Sequence, residues 1–295
     1  MLSILIPTYN YNTYPLVLEL KIQADLLAIQ YEILVQDDAS ALFKNENLKI
    51  KNIENCFYAY NIENLGRGNT INLLNSKAKF EYVLIMEADS FPESKNYLKK
   101  IIDKISPQTQ MIFGGVIYSE TKPVLNSVLR WKYGKSREAI PLKKRLEHPY
   151  QFVFTWNLLM KKEILLQNKF PTTIKEYGYE DVAFIIKLKH NKIKTQHIDN
   201  PLIHLNQEKS HVFIKKTEKA VSTLQQLIQL KELSYKDTSL GKIAVIIQYL
   251  KLTPFIAFIF KKTRNRLTSN LTSNNPSLFL FDFYKLGYFC LLKNS

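Results

Sequence analysis

The feature that most constrains this chain is an apolar run at its start that is cut by a proline. Leu2 to Ile6 has strand length and buried-type residues, and Pro7 opens the polar loop TYNYNTYP. A continuous apolar run bounded by turn residues is the pattern of a strand covered on both faces in a parallel sheet. From Leu16 to Ile29 the apolar residues Leu16, Val17, Leu20 and Leu27 recur at roughly helical intervals, and Glu32 to Val35 returns to strand character before QDDAS. This is one β-α-β unit, and such sheets bind ligands in the loops at the carboxyl ends of their strands.

The pattern continues with a strand over Cys56 to Tyr60, the loop NIENLGRG, a helix from about Asn69 to Ala78, and the strand YVLIM, which ends at Glu87-Ala88-Asp89. A helix from about Ser94 to Ile105 and a strand MIFGGVIY follow, so the fold class is α/β, a Rossmann-like, doubly wound and mostly parallel sheet flanked by helices. The polar, basic stretch from Glu120 to Pro149, broken by Pro123 and Pro141, reads as a mobile, lid-like segment. QFVFTW then reads as an aromatic strand, Asp181 to Lys189 as a helix, Thr195 to Ile198 and PLIHLN as short strands. The expected division is an α/β domain over residues 1–210 and a helical, basic and apolar extension over residues 211–295.

With 46% hydrophobic residues the chain can bury a large core, which argues against disorder. Its 41 Lys and Arg against 26 Asp and Glu give a net charge of +15, suited to phosphate-rich partners or an anionic membrane face. Cys56 and Cys290 lie far apart without metal-type spacing, so neither a disulfide framework nor a zinc finger is expected. The start of the chain lacks a basic n-region and cleavage site, and the expected location is the cytoplasm, at the inner face of the cytoplasmic membrane. In the tail, Lys251 and Pro254 divide the apolar stretch GKIAVIIQYLKLTPFIAFIF into pieces shorter than the roughly 20 residues a bilayer requires. Peripheral membrane contact through residues 241–295 and helices packed on the rest of the chain are the two readings that remain open.

Several polar groups fall where chemistry can be done. Asp37 and Asp38, directly after a strand, can accept hydrogen bonds from a nucleobase or ribose, or simply cap a turn. Glu87 and Asp89 stand at i and i+2 after YVLIM and, in an extended segment, face one divalent cation, Mn²⁺ or Mg²⁺; the alternative is a polar loop capping the next helix. Glu180-Asp181 begins a helix, where Asp181 can take a proton from an acceptor hydroxyl or where the pair can serve the helix dipole. His204 can add an imidazole ligand or be a satisfied structural histidine, Trp156 beside Asn157 can form a platform for a sugar ring or be an ordinary core residue, and Arg67 in a Gly-flanked loop can pair with phosphate. His190, His197, His204 and His211 lie seven apart, but Asp199-Asn200-Pro201 breaks any helix, so the spacing makes no stripe.

The ordered set SILIPTYN, VQDDAS, NLGRGNTIN, YVLIMEADSFP, FGG, WNLLMKKEIL, GYEDVAF and IHLN, over roughly residues 2–206, resembles the family 2 glycosyltransferases of the GT-A fold. The resemblance implies an inverting transfer of a sugar from a nucleotide-diphosphate sugar to an acceptor hydroxyl, on a glycan or lipid-linked acceptor, in surface polysaccharide or glycan assembly. It implies that Pro7, Thr8, Tyr9, Asp37, Asp38 and Arg67 surround the nucleoside, with Asp38 reading the base. Glu87-Ala88-Asp89 takes the DxD position, so Asp89 binds the cation with His204 as a further ligand. Asp181 matches the general base, Glu180 helps orient the acceptor, and Trp156-Asn157 lies near donor sugar and acceptor. Three positions depart from the pattern: Glu87 replaces the first Asp, Ala39 replaces the Gly of DDGS, and Ile71 stands where an Arg often precedes Asn72. The rival readings are another nucleotide-diphosphate-sugar enzyme, a nucleotidyltransferase, and a non-catalytic basic nucleic-acid-binding protein. The absence of a recognisable aromatic-basic motif or helix-turn-helix spacing argues against nucleic acid.

Overall fold

The structure, a computed structural model, describes residues 1–174, 176–205 and 208–293, without the side chain of Leu125. Its strands are β1 (Leu2–Thr8), β2 (Tyr31–Asp37), β3 (Cys56–Tyr60), β4 (Tyr82–Ile85), β5 (Ser90–Pro92), β6 (Met111–Phe113), β7 (Val116–Tyr118), β8 (Leu158–Lys161), β9 (Thr195–His197) and β10 (Leu202–His204). Its α-helices are α1 (Tyr14–Leu26), α2 (Lys44–Leu48), α3 (Arg67–Lys77), α4 (Tyr97–Ile102), α5 (Val128–Arg137), α6 (Leu142–Glu147), α7 (Lys162–Gln167), α8 (Glu180–His190), α9 (Ser210–Gln229), α10 (Ser239–Tyr249), α11 (Thr253–Leu271) and α12 (Leu278–Lys293). Two compact units emerge, the first made of Met1–Ser119, Glu138–Lys175 and Lys187–Asn206, the second of Glu120–Arg137, Glu176–Ile186 and Gln207–Ser295.

The first unit carries every strand. A seven-stranded sheet runs in the order β3-β2-β1-β4-β8-β6-β9, parallel except for β8, which pairs antiparallel with both β4 and β6. Every residue of β1 and β2 is buried, and their mostly apolar centres, Ile4–Ile6 and Ile33–Val35, suit strands covered on both faces. The chain steps outward from β1 to β2 and β3, then returns to place β4 on the other side of β1. That reversal is a topological switch point, where the loops after β1 and β4 diverge and leave a crevice.

β1 does not stop at Pro7. Leu5 O accepts the Met86 N–H at 3.0 Å, and residue 7 points to the same side by strand alternation, but β4 pairs with β1 only from Leu2 to Leu5. The N–H that proline lacks therefore has no ladder partner to lose, and the strand continues to Thr8.

MIFGGVIY is not one strand. Gly115 has φ +94°, and the break sends β6 into the large sheet and β7 into a three-stranded sheet of order β5-β10-β7. Gly114 has no room for a side chain, since a Cβ would stand 2.4 Å from Asn200 O and 2.5 Å from Asn157 Nδ2. QFVFTW, expected as a strand, is turn and loop leading into β8. The helix expected from Ser94 to Ile105 is confined to α4.

Nor is the basic stretch from Glu120 to Pro149 a plain lid, because it holds α5 and α6. α6 is anchored by Arg145, whose buried guanidinium donates to Ile140 O at 3.1 Å and Ile198 O at 3.1 Å, and to Phe113 O and Gly114 O at 3.4 Å. His197 Nε2 lies 2.9 Å from Pro149 O and its Nδ1 lies 3.3 Å from Arg145 Nη1. A carbonyl only accepts and a guanidinium only donates, so the ring is the neutral tautomer with its proton on Nε2.

The second unit is helical. Leu129 of α5, Phe213 and Ile214 of α9, Phe260, Leu267 and Leu271 of α11, and Phe281 and Tyr284 of α12 form one buried cluster. Glu218 of α9 accepts from both Arg264 and Tyr284 within it. Among the described residues no single helix is long and apolar enough to cross a membrane; α10 and α11 reach that composition only together, bent by 117°.

The His197 pKa is lowered from its ordinary 6.5, first by burial and further by the Arg145 charge, against the pull of the Pro149 carbonyl. As pH falls below about 6.5 the unfolded chain takes up this proton before the folded one does, so the contribution to stability is full above that pH and is lost below it. His197→Gln should flatten the decline of melting temperature between pH 7 and 5 relative to the parent chain; parallel declines would show that this ring does not drive it.

Candidate functional site

The crevice at the switch point is built from strand ends. Asp38 N–H donates to Thr8 O at 2.9 Å and Asn61 N–H to Asp37 O at 2.7 Å, so the loops after β1, β2 and β3 leave the sheet side by side. The loop after β1 is fastened from within: Asn10 Oδ1 accepts from Ala41 N and Leu42 N at 2.8 and 3.0 Å, and Thr13 Oγ1 donates to Thr8 Oγ1 at 2.8 Å. Pro7 and Thr8 are buried in this frame, whereas Tyr9 is 57% exposed and offers its ring outward.

The two aspartates after β2 hold different loops. Asp37 accepts from Ser40 N and from the Tyr58 hydroxyl, each at 2.7 Å. Asp38 accepts from Leu65 N at 2.8 Å, Gly66 N at 2.9 Å and Asn61 Nδ2 at 2.7 Å, which clamps the NLG segment that starts α3. Both carboxylates are therefore tied into the floor of the crevice. Ala39, directly after them, has φ +63°, the left-handed region that costs an L-residue roughly 1 kcal/mol and explains why glycine suits this position.

Arg67, the first residue of α3, reaches Glu87 with its Nε and Thr155 with Nη1 at 2.8 Å to the hydroxyl and Nη2 at 3.1 Å to the carbonyl. The guanidinium thus joins the loop after β4 to the segment before β8. Glu87, expected at a cation, is engaged here with the Arg67 guanidinium through Oε1. Thr155 gave no signal in the sequence.

Asp89 and His204 meet through the small sheet. β5 and β10 pair antiparallel with Ser90 opposite His204, and Leu205 N donates to Asp89 O at 2.8 Å. This register brings His204 Nε2 to 3.8 Å from Asp89 Oδ2. β7 pairs with β10 so that Tyr118 lies beside His204, its ring stacked at 5.0 Å, and Trp156 presents an edge at 5.4 Å. Tyr11 belongs to the same group: burial raises its pKa, and the negative charge of Asp89 raises it further. Ala88 is buried in the turn between Glu87 and Asp89.

Trp156 and Asn157 separate in role. Trp156 belongs to the aromatic group around His204. Asn157 is 1% exposed with φ +65°, its Nδ2 donating to Gly115 O at 2.6 Å and Asn200 O at 2.9 Å while its Oδ1 accepts from the Tyr97 hydroxyl at 2.7 Å. Its amide is spent on these protein groups and rivets the β6–β7 break. Ile71 is fully buried, so no charge stands where the family pattern has an arginine.

Glu180 and Asp181 lie in the second unit, in the first turn of α8, where negative charge faces the positive end of the helix dipole. Gly178 and Tyr179 before them have φ +107° and +60°, and the buried Glu180 accepts the Gly178 N–H at 2.9 Å. A Cβ on Gly178 would stand 2.4 Å from Ala220 Cβ, so glycine is required there. Burial first, and the charges of Asp181 and Asp282 after it, push the Tyr179 phenol up to about 12. The four seven-spaced histidines fall on α8, β9, β10 and α9, which removes any stripe.

Arg67→Met should cost about 2 kcal/mol of unfolding free energy in urea titration, since Glu87 keeps its charge while losing its guanidinium. The double variant Arg67→Met, Glu87→Gln should lose less than the sum of the two single losses. Additive losses would mean that the pair is not coupled.

No curated protein matches the sequence. Residues 3–167 match the family described as Glycosyl transferase family 2. Among solved structures, S. aureus TarS aligns with a TM-score of 0.53 at 20% identity, covering 74% of this chain and 38% of that one. TarS 1-349 in complex with UDP-GlcNAc aligns with 0.54 at 17% identity, covering 97% and 90%. The mannosyltransferase PcManGT from Pyrobaculum calidifontis, in complex with GDP-Man and Mn2+, aligns with 0.51 at 17% identity, covering 77% of this chain and 64% of that one. These likenesses carry the fold, and the sequence match, which spans more than half of the chain and includes Asp38, Arg67 and Asp89, shows that the chain belongs to glycosyl transferase family 2 and has the GT-A fold.

Proposed function

We propose that this protein transfers a sugar from a nucleotide-diphosphate sugar to an acceptor hydroxyl with inversion at the anomeric carbon. The observation that carries the reading is the pairing of Asp89 with His204 after the strand that flanks β1 at the switch point, with Tyr11 feeling the Asp89 charge. Two structural neighbours were solved with UDP-GlcNAc and with GDP-Man and Mn2+, and a nucleotide-diphosphate sugar is the donor class we infer for this chain.

The donor set fits a divalent cation of the Mn²⁺ or Mg²⁺ type. One carboxylate and one imidazole are hard to borderline ligands, and cations of this class complete their shell with water and substrate phosphate. No cluster of three His, Cys, Asp or Glu occurs among the described residues, so Asp89 and His204 are the protein's share. When bound, the cation would supply positive charge to the diphosphate.

The protein's own groups do the rest in this reading. Pro7, Thr8, Tyr9 and the loops clamped by Asp37 and Asp38 form the nucleoside cradle, and Trp156 gives an apolar wall toward the sugar. Asp181, from its place in the GYEDVAF motif, takes the proton of the acceptor hydroxyl. The acceptor oxygen bonds to the anomeric carbon as the bond to the diphosphate breaks on the opposite face, and the nucleoside diphosphate departs. The acceptor class we infer is a glycan or lipid-linked intermediate of surface polysaccharide assembly.

Asp181→Asn should reduce transfer by about 10² to 10⁴-fold while leaving donor-induced thermal stabilisation in place. Unchanged turnover would remove Asp181 from the mechanism, and release of pyrophosphate instead of nucleoside diphosphate would identify a nucleotidyltransferase. In thermal-shift titrations, a cognate nucleotide sugar at about 100 times its Kd should add about 2.7 kcal/mol of apparent stability. That gain should depend on Mn²⁺ in the parent chain and lose the dependence in Asp89→Asn and His204→Ala; a metal-independent gain in all three would sink the cation site.

A further inference from the structure

We propose that the corner between α10 and α11 docks on an anionic lipid surface, with apolar side chains entering the headgroup layer and lysines holding the lipid phosphates. The corner lies wholly within the second unit. α10 ends at Tyr249, Lys251 adopts φ +57°, and Pro254 sits in the first turn of α11, so the chain turns sharply instead of continuing as one helix. The two helix axes meet at 117°.

The inner faces of both helices are used by the second unit: Leu240, Ala244, Ala257, Phe260 and Leu267 are buried. The outer faces are apolar as well. Tyr249 is 85% exposed, Phe255 59% and Phe258 58%, and Ile243, Val245, Ile246, Leu250 and Leu252 are also exposed. An apolar patch of this kind on a protein surface marks a place of contact.

Charge identifies the contact. No Asp or Glu occurs between Asp237 and Asp282, whereas Lys242, Lys251, Lys261, Lys262, Arg264 and Arg266 all do. Arg264 is engaged with Glu218; the lysines flank the apolar side chains. Lys242, Ile246 and Tyr249 share one face of α10, and Phe255, Phe258 and Lys262 share one face of α11, where the Lys262 ammonium lies 5.8 Å from the centre of the Phe258 ring. Protein interfaces are depleted in lysine, and a second copy of the same patch would oppose cation to cation. An anionic bilayer accepts both halves of the pattern: hydrocarbon takes the rings and phosphate takes the ammonium groups. A bent pair lying in the interface also needs no spanning length.

The full chain should sediment with vesicles of phosphatidylcholine plus phosphatidylglycerol, not with phosphatidylcholine alone, and binding should weaken as salt is raised. Phe255→Ser with Phe258→Ser should lower the partition coefficient at least about tenfold with an unchanged melting temperature, since both rings lie outside the core. Each of Lys242→Gln, Lys251→Gln and Lys262→Gln should lower it about fivefold. Equal partitioning of the parent and the double-serine variant would overturn the proposal. So would a concentration-dependent dimer, seen by light scattering, that fails to bind anionic vesicles and is lost in the double-serine variant. Neither result bears on sugar transfer, which is read from donor binding and product release.

Discussion

Everything in the first unit hangs on β1 being paired along both edges, in parallel, and covered on both faces. A strand so enclosed is mostly apolar, and both of its neighbours are supplied by later parts of the chain. β2 and β3 go to one side and β4 to the other, so the loops that follow β1 and β4 part company at the carboxyl edge. The crevice is a consequence of strand order, and the polar residues that follow each strand are delivered to it because that is where their strands end.

Around that crevice the protein uses charge twice, for different ends. Asp37, Asp38 and the Glu87–Arg67 pair are turned inward onto backbone amides, a tyrosine hydroxyl and one another, and they fix loops. Asp89 and His204 are brought together by the register of a separate three-stranded sheet. That sheet exists only because Gly114 and Gly115 let the chain leave β6 at an angle that no side chain would permit, with the Asn157 amide bracing the bend. The aromatic shell of Tyr118 and Trp156 around the imidazole follows from the same bend.

The parts of this that were legible in the sequence are the parts governed by local pattern. β1, β2 and β4 read as strands because a doubly covered strand keeps a compact apolar centre, and the carboxylates after β2 and β4 could be placed at the sheet's edge. The β6–β7 break did not read, because two glycines inside an apolar stretch look like strand interior until Asn157 and Asn200 close on them. QFVFTW misled because aromatic residues favour strands, while here Trp156 is buried by its contact with His204. The anchoring of α6 was invisible: Arg145 looked like one more cation in a basic stretch, and only the fold shows it meeting four carbonyls. Glu87 could be placed at the right turn but not given its partner, since Arg67 lies twenty residues earlier on another element.

The order in which the chain supplies these parts has a consequence for how the protein is made. The first unit is not contiguous: the chain leaves it at residue 120, again at residue 176, and returns each time to finish the sheets, with β9 and β10 arriving last. A nascent chain emerging from the ribosome can lay down β1 to β4 early, yet the central strand of the three-stranded sheet, with His204 on it, joins only after nearly all of the unit has been synthesised. Until then Asp89 has no imidazole beside it, so a chain cut short before β10 lacks the Asp89–His204 pair altogether.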